Sequence, residues 1–102
     1  MLGYVIGDSD MVTGFRLVGV YGAEAGSAEE ANHALDKALS RNDLAVIIIS
    51  EEFSTQQQIH DKIEKTRRER REPLIVELPG SKGKSSQIRM SDLISKALGV
   101  RI

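Results

Sequence analysis

The chain has 102 residues with 14 basic and 15 acidic side chains, no Cys, no Trp, and only two Phe and two Tyr. That length suits one domain with a single core and is too short for two. The missing Cys excludes disulfides, zinc-thiolate sites and a thiol nucleophile, while near-cancelling charge and scarce aromatics argue against nucleic acid as a ligand.

The N-terminal MLGYVIGDSD lacks the basic region and cleavage pattern of a signal peptide. No apolar run approaches the ~20 residues of a membrane span. The expectation is a soluble cytoplasmic chain.

LGYVIGD predicts a first strand, and Asp8 and Asp10 follow it. Acids at the carboxyl end of a strand suit a metal or a phosphate site. The simpler role is that Asp8 or Asp10 caps the helix entering at Met11, where the unpaired N–H groups and the helix dipole favour a carboxylate. GVYGAEA, near Val20, is a weak strand interrupted by Gly22. Ser27 with Glu30 has the spacing of a capping box, and Ala28, Ala31, Ala34, Leu35, Ala38 and Leu39 then share one helical face.

LAVIIIS (Leu44–Ser50) is continuously apolar, as in a parallel strand covered on both faces. Ser54 with Gln57 predicts a second capping box. The helix behind it has a thin stripe, mainly Ile59 and Ile63, and is polar or charged through EKTRRERRE. PLIVELP (Pro73–Pro79) predicts a strand bounded by prolines. PGSKGKSSQ (Pro79–Gln87) reads as a linker. Leu93, Ile94, Ala97 and Leu98 mark a last short helix, with Gly99 as its stop. This alternation of strands and helices predicts an α/β fold with a mostly parallel four-stranded sheet. The expected division is an α/β domain over 1–79, a linker over 80–90 and a helical tail over 91–102.

None of the chemical motifs is complete. A receiver domain needs a phosphate-accepting Asp at the end of its central strand, where this chain has Ser50 followed by Glu51 and Glu52. Its later strand-end Lys is also missing, since IVELPG carries Glu77. Gly83-Lys84-Ser85 ends like a P-loop, yet the first glycine of G-x-x-x-x-G-K-S/T would fall at Leu78. His33 and His60 lack partners at metal-ligand spacing. Arg67–Arg71 is interleaved with glutamates, as on a solvated helix face, with docking of an acidic partner as the other reading.

The segments GDSDMVTGFRLVGV, NDLAVIIISEE, REPLIVELPG and ISKALGVRI, in that order, resemble the F subunit of the archaeal and vacuolar-type (A-type/V-type) rotary ATPases. TGFRLVGV after GD-x-D is the most specific part. The resemblance implies a small three-layer, receiver-like (Rossmann-like) domain with a mobile C-terminal helix on a flexible linker. It also implies a non-catalytic central-stalk role, with no cofactor and no bound metal. The implied partners are the coiled-coil D subunit of the stalk and the catalytic headpiece subunits. The membrane is then reached only indirectly, from its cytoplasmic side. Asp8 and Asp10 would organise the strand-to-helix turn. Phe15 and Arg16 of TGFRL, with Leu93, Ile94 and Leu98 of the tail, are the candidate partner contacts. Two other readings stay open: a receiver-like signalling module without its phosphoacceptor, and a small nucleotide-binding protein using Gly83-Lys84-Ser85.

Overall fold

The computed structural model describes residues 2–79. Its central strand, Val46–Ser50, is buried at all five positions, which is what an unbroken Val/Ile run demands. Numbered in chain order, the elements are β1 (Gly3–Gly7), α1 (Ser9–Arg16), β2 (Tyr21–Glu24), α2 (Ala28–Leu39), β3 (Val46–Ser50), α3 (Glu51–Ser54), α4 (Gln57–Glu69) and β4 (Leu74–Leu78). The sheet order is β2-β1-β3-β4, and every pairing is parallel. Val5 lies opposite Gly22 on one side and Ile48 on the other, and Ile48 lies opposite Val76.

Strand alternation divides the core into two layers. Val5, Val46 and Ile48 face α1 and pack with Met11, Val12 and Phe15. Ile6, Ile47, Ile49 and Ile75 face the other way and pack with Leu35, Ile59 and Ile63 of α2 and α4. The chain runs from β1 outward to β2 and then returns across β1 to β3. That reversal is why α1 and α2 lie on opposite faces when parallel crossovers keep one hand.

The predicted caps are mostly formed. Asp8 accepts from the Met11 N–H at 2.9 Å and is the N-cap of α1. Ser27 Oγ accepts from the Glu30 N–H at 3.2 Å, and Glu30 Oε1 accepts in return from the Gly26 N–H at 2.6 Å. The Ser54–Gln57 box is not formed. Chain leaving β3 turns at once into α3, capped by Ser50, whose Oγ accepts from the Glu52 N–H at 3.3 Å. That turn buries Phe53 and Ser54 together. Ser54 therefore points into the protein, with no hydrogen-bond partner for its Oγ among the described residues. Gln56 is the N-cap of α4 and makes no side-chain bond. Helix α4 also stops at Glu69, short of the full EKTRRERRE stretch, with Arg70 already extended.

The charged face of α4 is more than a solvated surface. Arg67 donates to the Ile75 carbonyl at 2.7 Å and to the carboxylates of Glu64 and Glu77 at 3.1 and 3.3 Å. Arg70 donates to the Leu39 carbonyl at 3.0 Å. Lys62 bridges to Asn32 and Asp36 on α2. Long cationic side chains thus fasten α4 to α2 and β4 around a stripe of two isoleucines and Thr66. The buried Thr66 hydroxyl donates to the Lys62 carbonyl at 2.8 Å.

The weak second strand owes its form to Gly22. A Cβ at that position would stand 1.9 Å from the Val5 carbonyl oxygen. Only a residue without a side chain lets β2 approach β1 this closely.

This packing sets the expected response to two substitutions. Gly22→Ala should push β2 away from β1 and cost about 1–3 kcal/mol, read as a lower urea midpoint with an unchanged slope. An unshifted midpoint would mean that the close approach is not required. Ile48→Asp places a charge in the layer beneath α1; an unpaired buried charge costs several kcal/mol, against a total stability of ~5–15 kcal/mol. The expected result is loss of the cooperative melt and of soluble protein. A normal melt would remove β3 from the centre of the fold.

Candidate functional site

In open parallel sheets, ligands settle beyond the carboxyl ends of the strands where the strand order reverses. Here that point lies between β1 and β3, at Gly7-Asp8 and Ser50-Glu51. The groups present there have structural duties. Asp8 caps α1, and Asp10 stands in its first turn. Ser50 is buried and caps α3, with Glu51 and Glu52 exposed in the first turn that follows. Glu77, near the end of β4, is paired with Arg67. Among the described residues, no group of three or more His, Asp or Glu gathers where it could hold a metal ion. His33 and His60 are exposed on α2 and α4. Gly83-Lys84-Ser85 lies outside the described residues.

An open groove runs between β2 and α2, with Tyr4, Ala23 and Ala34 along its floor and Glu24, Glu29, His33 and Lys37 on its rim. Beyond α2, Arg41 grips Asp43 with two parallel bonds of 2.9 and 2.8 Å. That pairing, with the hydrogen bond as its main component, raises the Arg41 guanidinium above its ordinary value and holds Asp43 below the usual carboxylate range. The Arg41 guanidinium also sits 5.7 Å from the centre of the Tyr4 ring. This exposed fork spans the turn into β3. Among the described residues the groove brings Glu24 and Glu29 near His33 and Lys37, with no ion pair between them.

The described candidate contact residues separate by exposure. Phe15 is fully buried against Met11, Val12 and the sheet, so it builds the core and presents no surface. Helix spacing explains this: position 15 follows Met11 by four residues and falls on the same inward stripe. Arg16, one position on, is exposed. Leu93, Ile94 and Leu98 lie outside the described residues, as do the expected linker and tail. The structure adds surface residues that the hydrophobic pattern does not single out. Leu2, Leu17, Val18, Tyr21 and Leu74 are large apolar side chains left exposed, Leu17 to 80%. The sequence holds a signal for most of them: from Met11 to Ala23 the only charged residue is Arg16.

Comparison with known proteins gives a consistent result. Residues 4–95 match the family described as ATP synthase (F/14-kDa) subunit. The F subunit of the A-type ATP synthase of Methanothermobacter thermautotrophicus is 34% identical over 101 residues, spanning 96% of this chain and 92% of that one. The F subunit of the V-type ATP synthase of Clostridium botulinum is 34% identical over 100 residues, spanning 96% and 93%. Among solved structures, the F subunit of the V-type ATP synthase of Archaeoglobus fulgidus superposes with a TM-score of 0.62 at 29% identity, covering 76% of this chain and 95% of that one. With the parallel α/β sheet and the near-complete coverage agreeing, the chain belongs to the family of ATP synthase (F/14-kDa) subunits.

Proposed function

We propose that this protein is the non-catalytic F subunit of an A-type/V-type rotary ATP synthase. In this reading it sits in the central stalk, binds the coiled-coil D subunit and helps couple ATP turnover to ion transport. The observation that carries the proposal is the match along nearly the whole chain to relatives named as that component. The site geometry supports it. Polar groups at the switch point are used largely in caps and ion pairs, which leaves rigidity and surface as the useful properties. A stalk component needs both: a core stiff enough to pass on torque, and a face for its partner. Two buried layers around β3 provide the first. The complex would hold the protein at the cytoplasmic side of the membrane as a peripheral component. Among the described residues no helix is long and apolar enough to cross a membrane.

The same reading assigns residues 1–79 to the partner-binding domain. The segment after Pro79 becomes a separable regulatory tail, with Leu93, Ile94 and Leu98 as its anchors. The helix expected over Ser91–Val100 is shorter than the ~12–15 residues usually needed alone in water, so it would need a surface to dock on.

Two measurements test the proposal. The isolated chain should hydrolyse no ATP, with Lys84→Ala indistinguishable from the parent protein. Turnover that vanishes in that variant would replace the stalk reading with a nucleotide-binding one. Removing Gly80–Ile102 should leave a cooperative melt and intact binding to the purified D subunit, while changing the ATPase rate of the assembled complex. Collapse of the shortened chain would make the tail part of the core, and an unchanged rate would remove its regulatory role.

A further inference from the structure

A strand at the edge of a sheet leaves a row of backbone groups that another strand can take up. The longer edge here is β4, five residues with Glu77 as their only charge. β2, at the other edge, has four residues, one of them Gly22. One bond shows which groups of β4 are free. The Leu74 N–H donates to the Ala45 carbonyl at 2.9 Å. In a strand the N–H and C=O of one residue point to the same side, and successive residues alternate. Leu74, Val76 and Leu78 therefore turn their backbone groups towards β3, and Ile75 and Glu77 turn theirs to the open edge.

Arg67 of α4 stands against that edge. Its Nη2 donates to the outward Ile75 carbonyl at 2.7 Å. Its Nη1 donates to the Glu64 carboxylate at 3.1 Å and to the Glu77 carboxylate at 3.3 Å. Ile75 packs in the layer beneath α4, and Glu77, two residues on, shares that face of the sheet. The guanidinium is thus held from the helix and from the strand at once. Ion pairs this exposed contribute little by themselves. The contact to the main chain is different in kind, because it fills an acceptor that an incoming strand needs.

We propose that Arg67 closes the free edge of β4 and keeps it from pairing with the same edge of a second copy of this chain. A second copy is the fitting occupant because an edge strand turned about a two-fold axis lies antiparallel to itself and supplies matching donors and acceptors. Centred on Val76, such a pairing sets Ile75 of one copy opposite Glu77 of the other, so the two carboxylates do not meet directly. The Ile75 carbonyl would then accept from the Glu77 N–H of the other copy. Arg67 already donates to that carbonyl. Leu74, 59% exposed, lies beside the edge and adds apolar surface to any such contact. The proposal stands apart from the stalk reading, since it concerns what the domain excludes and not what it binds.

The test is sedimentation of the full-length chain over a range of concentrations, with amide hydrogen exchange read at Ile75 and Glu77. The parent should run as a monomer, with both amides exchanging fast. Arg67→Ala and Arg67→Gln should keep a cooperative melt and shift towards a dimer as concentration rises. In that dimer the Ile75 and Glu77 amides should exchange about ten-fold slower or more. Arg68→Ala is the control for lost charge: Arg68 is exposed on the same turn and forms no ion pair among the described residues. It should stay monomeric. Folded Arg67 variants that remain monomers would show the edge to be closed by something else. Dimers without protection at Ile75 and Glu77 would place the contact elsewhere, and a parent chain already paired through these amides would show that Arg67 does not block the edge. Loss of the melt in both Arg67 variants would make the residue a pin for α4. Each of these four results overturns the proposal.

Discussion

The structure depends on burying one strand from both sides. With Val46 through Ser50 all covered, a single helix layer is insufficient, because alternate side chains of β3 point to opposite faces. Helices on both sides require crossovers that diverge from the middle of the sheet. That requirement places β1 beside β3 and sends β2 and β4 to the edges. The two central strands then contribute most of the apolar surface, and the edges can be poor in it. β2 is poor in it: its four residues are Tyr, Gly, Ala and Glu.

This division of labour explains why a chain with many ionisable groups has no evident reaction centre among its described residues. At the reversal point, an enzyme or phosphoacceptor would keep its carboxylates available for chemistry. Here Asp8 is bonded to the first turn of α1, and the corresponding place on β3 is taken by a buried hydroxyl. Both groups serve to start helices. Among the described residues, the carboxyl ends of the two central strands carry helix caps.

Elements whose cause is local are legible in the sequence. The LAVIIIS run predicts a strand covered on both faces, and it is β3. The cap by Asp8 and the Ser27–Glu30 pair follow from neighbours within three residues. Features set by distant chain are not legible. Gly22 reads as an interruption because the close approach of Val5, 17 residues earlier, cannot be inferred from spacing. Ser54 reads as a cap until the immediate turn after β3 carries it inside. Arg67 reads as one member of a solvated run because its best acceptor, the Ile75 carbonyl, belongs to a strand whose place the sequence does not give. The family resemblance makes Phe15 a candidate partner contact, although the stripe it shares with Met11 points inward. The exposed Leu17, Val18 and Tyr21 are hard to read for the opposite reason, since apolar residues in a mixed segment are normally credited to the core.

Parallel strands also give the domain a direction. Everything that precedes a strand lies at one end of the sheet, and everything that follows lies at the other. Leu2 and the turn before Tyr21 precede β1 and β2; Asp8 and Glu51 follow β1 and β3. A strand of five residues separates those ends by roughly 16 Å at ~3.3 Å per residue. That exceeds the Debye length of about 8 Å at physiological salt. Exposed charges at the two ends of a strand are therefore largely screened from each other. A change in charge at the acidic end reaches the opposite end of the sheet only weakly through the field, and packing along the strands is the shorter route between them.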